Sequence, residues 1–262
     1  MVRIIAFANQ KGGVGKTTTC VNMSVFMALM GKKVLMVDID PQGNATSNLG
    51  ITKDKKLNSI YQVMTEEKNI TNAIYETKIN NLSIIPSNME LSGAEVELVD
   101  MDNREKVLKN IFDKIKDSYD YITFDCPPAL NLLTINAFTA ADAVIIPIQC
   151  EFFALEGLSQ LLNTIRIVKK KLNPNISIDG VVLTMRDSRS NLGKQVAVEI
   201  EKFFNESVFK TSIPRNIRLA ESPSFGEPIY TYDKNCVGSK AYKALTEEYF
   251  ERNNVKYEKL KK

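Results

Sequence analysis

"RIIAFANQKGGVGKTTT", residues 3–19, passes from an apolar β-type run through a glycine cluster into a helix-forming stretch. Gly12, Gly13 and Gly15 let backbone amides approach an anion with no Cβ in the way, and the helix that follows turns its positive end toward it. Lys16 is placed to reach the outer phosphates of a nucleotide, and the Thr17 hydroxyl to meet Mg²⁺. Strand, glycine loop and helix in this order predict an α/β fold built on a nucleotide site. One residue departs from the usual G-x-x-x-x-G-K-[ST] spacing. Gln10 stands where the first glycine belongs, and a second lysine, Lys11, opens the loop.

The rest of the chain alternates in the same way. Buried strands are predicted at 3–8, 33–39, 82–87, 119–125, 143–149 and 180–185, from short apolar runs rich in β-branched residues. Helical stretches are predicted at 16–30, 91–116, 154–172 and 191–205. Such alternation implies a mostly parallel, twisted sheet with helices on both faces and ligands at the carboxyl ends of the strands. The 262 residues are predicted to form one domain. Residues 239–251 read as a last amphipathic helix packed on the core, and 251–262 as a basic tail whose "YEKLKK" end is frayed and solvated.

Composition excludes several chemistries. There is no histidine, which removes serine triads and histidine-bound zinc. Cys20, Cys126, Cys150 and Cys236 lack CxxC spacing and read as reduced thiols. A net charge of +3 permits an anionic partner without demanding one. No secretory signal and no apolar run approaching the ~20 residues of a membrane helix is present, so a cytoplasmic protein without membrane partners is expected.

Carboxylates complete the expected site. "VLMVDIDPQGN" closes a strand with Asp38 and Asp40, two residues apart and so on one strand face, and Pro41 ends the strand. Asp38 reads equally as a structural carboxylate capping a turn. "YITFD" ends in Asp125, an apolar strand with a terminal carboxylate of the kind that holds Mg²⁺ through water. Glu151 is a candidate neighbour of the site or of a subunit face.

The run Lys11-Gly-Gly-Val-Gly-Lys16-Thr-Thr is a deviant P-loop, and with it the sequence resembles the ParA/Soj partition ATPases of the ParA/MinD superfamily of P-loop NTPases. "VDIDPQGNATSNLGI" (37–51), "YDYITFDCPPAL" (119–130), "PIQCEFFALEGLSQLLNTI" (147–165) and "IPRNIRLAESPSFGEPI" (213–229) extend the resemblance over nearly the whole chain. It implies an ATPase with ATP and Mg²⁺ as cofactors and weak intrinsic activity. Lys11, Gly12, Gly13, Val14, Gly15, Lys16, Thr17 and Thr18 would hold the nucleotide, with Pro214 and Asn216 framing the adenine. Lys11, Lys16 and Asp40 would be catalytic: Lys11 reaches the partner subunit's nucleotide, much as an arginine finger does, and Asp40 orients the attacking water. Thr17, Asp40 and Asp125 would form the Mg²⁺ site. "IPRN" (213–216) is expected to follow a strand and to lie near the sheet's carboxyl edge, and on sequence alone it reads also as an ordinary turn opening on proline.

The resemblance further implies a homodimer in the ATP state that binds double-stranded DNA without sequence preference, through Arg189 and Arg218 with help from Arg186, Lys194 and Arg215. A ParB/Spo0J-like centromere-binding protein would stimulate hydrolysis, and the molecule would be nucleoid-associated. Glu227 stands where relatives often carry lysine. The first strand starts at once, so no N-terminal helix-turn-helix is expected. The alternatives are a MinD-like membrane-cycling ATPase, which needs a C-terminal amphipathic helix, and an iron–sulfur ATPase, for which Cys126 lacks a companion.

Overall fold

The computed structural model describes residues 2–53, 57–66, 68–151, 157–187 and 189–260. Its sheet has seven strands: β1 (Arg3–Phe7), β2 (Val34–Asp38), β3 (Tyr75–Glu76), β4 (Leu82–Ile85), β5 (Tyr121–Asp125), β6 (Ala143–Gln149) and β7 (Ser177–Thr184). Their order across the sheet is β3-β4-β2-β5-β1-β6-β7, all parallel except the short edge strand β3. All six predicted strands are present. The two-residue β3 is too short to leave a periodic trace in sequence.

Alternation along the strands divides the core in two. Ile4 and Ala6 of β1 with Leu35 and Val37 of β2 face helices Ile60–Thr65, Leu91–Glu97, Val107–Phe112, Leu132–Ala140, Leu158–Lys171 and Asn191–Phe204. Ile5, Phe7, Val34 and Met36 face the opposite way, onto helices Lys16–Leu29 and Val237–Arg252. Both faces are covered, which is why the central strands are apolar throughout rather than alternating.

The first helix is buried over almost its whole circumference, including Cys20, Met23, Phe26 and Met27. Full burial of each large apolar side chain stabilises by roughly 1.5–3 kcal/mol. Its polar residues are satisfied: Ser24 Oγ lies 2.8 Å from Thr123 Oγ1, and Thr19 Oγ1 lies 3.2 Å from the Tyr242 hydroxyl.

Three expectations are corrected. The stretch 91–116 is not one helix but Leu91–Glu97 and Val107–Phe112 joined by 3₁₀ turns, with Asn103 in the left-handed region breaking it. The segment before Pro214 is not a regular strand. It touches β7 only through single bridges, Val208 to Val181 and Pro214 to Arg186. The tail is docked through residue 260: Val255 N–H donates to Phe250 O at 2.8 Å, Glu258 N–H to Met30 O at 3.1 Å, and Tyr257 lies on Phe250. These apolar contacts outweigh the tail's basic composition. No helix among the described residues is long and apolar enough to cross a membrane.

Candidate nucleotide site

Parallel register brings the strand ends together. Phe7 and Asp38 both pair with Asp125, so the loops leaving β1, β2 and β5 open side by side at the carboxyl edge. The loop after β1 is clamped from both flanks. Asn9 Nδ2 donates to Pro147 O at 2.7 Å while its Oδ1 accepts the Lys11 N–H at 3.0 Å. Thr184 Oγ1, at the end of β7, donates to Val14 O at 2.8 Å. Gly13 and Gly15 have φ of 75° and 83°, the left-handed region that a side chain strains. Gly12 is different: a Cβ built there meets nothing within 4 Å, so one subunit alone does not require glycine.

The two lysines occupy distinct environments. Lys16 is buried and its Nζ donates to Lys11 O at 3.1 Å, closing the loop on itself. Burial lowers its pKa, opposed by the carboxylates of Asp125 and Asp40. The Lys11 ammonium is about a third exposed and lies 3.8 Å from Glu151. Thr17 and Thr18 follow on the first turn of the helix, whose amino end carries the backbone dipole's positive charge.

Three carboxylates face this loop. Asp38 is fully buried and committed to structure: Thr46 N–H and Thr46 Oγ1 donate to it at 2.8 and 2.7 Å, and Asp40 N–H at 3.2 Å. Burial raises its pKa to about 6 despite those bonds. This is the structural role left open from the sequence. Asp40 leads a turn, its Oδ1 accepting the Gln42 N–H at 2.9 Å. Asp125 has both oxygens buried without a hydrogen-bond partner, and burial first, then the neighbouring Asp38, raises its pKa well above the usual range.

An orphaned buried carboxylate beside a lysine is what a hydrated Mg²⁺ would satisfy. Among the described residues no three His, Cys, Asp or Glu side chains group as a metal cage. Mg²⁺ is ordinarily held by one or two carboxylates together with nucleotide phosphates and water, and does not need such a cage.

A cavity of about 620 Å³ opens beside the loop. Gly15, Thr18, Thr184, Pro214 and Asn216 all line it, so the loop and the late "IPRN" segment meet in one space. Asn216 also caps helix Ile217–Glu221, its Oδ1 accepting the Leu219 N–H at 3.2 Å. Met185, at the mouth of this cavity, holds a left-handed φ of 50° that turns the chain off β7. Arg189 borders the cavity and pairs with Asp187 at 3.2 Å. Arg218 lies on the adjoining short helix, 3.1 Å from Glu221 and 3.8 Å from Asp233.

The sequence reading missed Asn9, Thr46 and Thr184. Asn9 carried a signal, a polar residue at the exit of an apolar strand. Thr184 carried none, because its partner Val14 lies far away along the chain.

Comparison with known proteins places the chain. The AAA domain family matches residues 2–178. The sporulation initiation inhibitor protein Soj of Bacillus subtilis is 54% identical, covering 95% of this chain and 98% of its own length. The chromosome partitioning protein ParA of Myxococcus xanthus is 48% identical, covering 97% and 90%. Among solved structures, cobyrinic acid a,c-diamide synthase from Mycobacterium smegmatis with bound ADP and magnesium superposes with a TM-score of 0.85 at 32% identity, covering 100% of both chains. With its P-loop, carboxylate row and parallel sheet in the P-loop NTPase arrangement, this chain belongs to the Soj/ParA family of chromosome-partitioning ATPases.

Proposed function

We propose that the protein is an ATP-dependent dimerising switch of chromosome or plasmid segregation. One observation carries the reading: Lys16 already fills the cationic position inside the loop, while the Lys11 ammonium stands partly exposed on its rim. A second lysine with that disposition suits a nucleotide held by another copy. Open space around Gly12 supports the same reading, since it leaves room for a partner's loop to approach.

In this reading Gly12 to Thr18 cradle ATP, Pro214 and Asn216 frame its base, and Thr17, Asp40 and Asp125 face Mg²⁺. The ion would neutralise phosphate charge. Asp40 orients the attacking water, and Lys11 stabilises charge on the partner's phosphates. Intrinsic hydrolysis is weak because a lone subunit lacks that trans lysine. The paired form binds duplex DNA non-specifically through Arg189 and Arg218 on each subunit, in a cytoplasmic, nucleoid-associated cycle. A ParB-like centromere-binding protein stimulates hydrolysis and release.

The test is sizing with a non-hydrolysable ATP analogue, followed by binding of arbitrary duplex DNA across a salt series. Nucleotide-dependent dimers and an affinity that falls steeply with salt are expected, since each phosphate contact contributes about 0.9 to the logarithmic slope. Asp40→Ala should dimerise and stay on DNA with turnover reduced by roughly 10²-fold or more. A monomer at every concentration sinks the proposal, and binding to anionic vesicles without DNA binding favours the membrane-cycling alternative.

A further inference from the structure

Both arginines on which the DNA reading depends are engaged by carboxylates of their own subunit. Asp187 Oδ1 accepts from the Arg189 side chain at 3.2 Å and from the Arg189 N–H at 2.9 Å. Arg218 sits between Glu221 and Asp233, and the same Glu221 oxygen accepts the Tyr232 hydroxyl at 3.1 Å. Asp233 is fixed in turn, its Oδ1 accepting the N–H groups of Asn235 and Cys236 at 3.1 Å each. These acceptors are therefore positioned by the fold and do not depend on the arginines to hold them.

The pairing has electrical consequences. The Arg189 guanidinium holds the Asp187 carboxyl below the usual range. Tyr232 and Glu221 raise the pKa of Arg218. An arginine already satisfied by a carboxylate offers a phosphate group little net charge, and binding requires exchange of one oxyanion for another.

Resting on the duplex-DNA reading above, we propose that Asp187, Glu221 and Asp233 are built-in competitors of the DNA backbone, occupying Arg189 and Arg218 until a phosphate displaces them. Each subunit's grip is thereby weakened, and useful affinity arises only when two subunits bind together. The carboxylates set how strongly DNA retention depends on nucleotide-driven pairing.

The experiment uses the full chain, a fluorescent duplex of arbitrary sequence, and either ADP or a non-hydrolysable ATP analogue, over a salt series. Asp187→Asn and Glu221→Gln keep an acceptor oxygen for the local hydrogen bonds while removing charge. Each is expected to tighten DNA binding about two- to fivefold. The double variant should retain measurable binding with ADP, where the parent does not. Glu227→Gln serves as the control, since it removes the same charge from the neighbouring segment and has no cation partner among the described residues. Unchanged affinity in the paired variants, or an equal gain from Glu227→Gln, overturns the competitor role while the DNA reading stands. If no form of the protein binds DNA, the DNA reading falls and this inference falls with it.

Discussion

Asp38 and Asp125 stand opposite each other at the ends of adjacent parallel strands, yet the first carboxylate accepts three hydrogen bonds and the second accepts none. One is spent on holding the loop to Thr46, and the other is the carboxylate that the proposed function turns toward Mg²⁺. Burial raises the titration of both carboxylates, and for Asp125 the charge of the neighbouring Asp38 adds to it.

Removing the orphaned charge should therefore trade function for stability. Asp125→Asn is expected to raise the stability of nucleotide-free protein by about 1–3 kcal/mol, because burial and the neighbouring Asp38 disfavour the ionised carboxylate. Mg²⁺-dependent nucleotide binding should fall in the same variant. Denaturant unfolding in EDTA, paired with calorimetric titration of MgADP, checks both halves, and a destabilised variant contradicts the assignment.

The pH dependence follows from Asp38. Its folded pKa of about 6 exceeds the ordinary value of about 3.9, so the native state holds a proton that the unfolded chain has released. Its stabilising contribution is complete below about pH 4 and is lost as pH rises through about 6, a change of roughly 2–3 kcal/mol. The chain has no histidine, and Asp125, whose pKa is also raised, is common to both proteins compared. Melting of nucleotide-free protein in EDTA should thus show the wild type losing stability relative to Asp38→Asn across that window; a constant difference refutes the shift.

The two lysines should separate cleanly. Lys16→Ala is expected to abolish ATP binding. Lys11→Ala should bind ATP in the monomer but fail to pair, with hydrolysis lowered by about 10³-fold if the lysine acts as trans fingers do. Equilibrium binding of a fluorescent ATP analogue and sizing report the two steps. Normal dimers in the Lys11 variant remove it from the interface.

Thr184 anchors the phosphate loop from across the sheet. Thr184→Val keeps the shape and leaves the buried Val14 carbonyl without its donor, at a cost of about 1–3 kcal/mol. The KM for ATP should rise more than kcat falls, and Thr184→Ser should restore it. Equal behaviour of the valine and serine variants means the hydroxyl does no positioning.

Most of the sheet was legible because its strands are buried on both faces and read as continuous apolar runs, from "IIAF" to "VIIPI". The break at Asn103 was passed over although "VDMDN" (99–103) clusters Asp100, Asp102 and Asn103, residues that favour turns and the left-handed region. The phosphate loop and Asp125 announced themselves by spacing. Pro214 and Asn216 did not, because their meeting with Gly15 and Thr18 depends on an irregular segment bridged to the end of β7. The docked tail was misread for a related reason: its few apolar residues, Val255, Tyr257 and Leu260, find partners that only the folded surface provides.

That tail rests on the far end of the helix that begins at Lys16, through the contact of Glu258 with Met30. The helix is in effect a rod with Lys16 at its tip and residues 255–260 at its butt. Displacing residues 255–260 would therefore disturb the helix that carries Lys16, so a label attached to that segment needs a counterpart placed elsewhere in rate measurements.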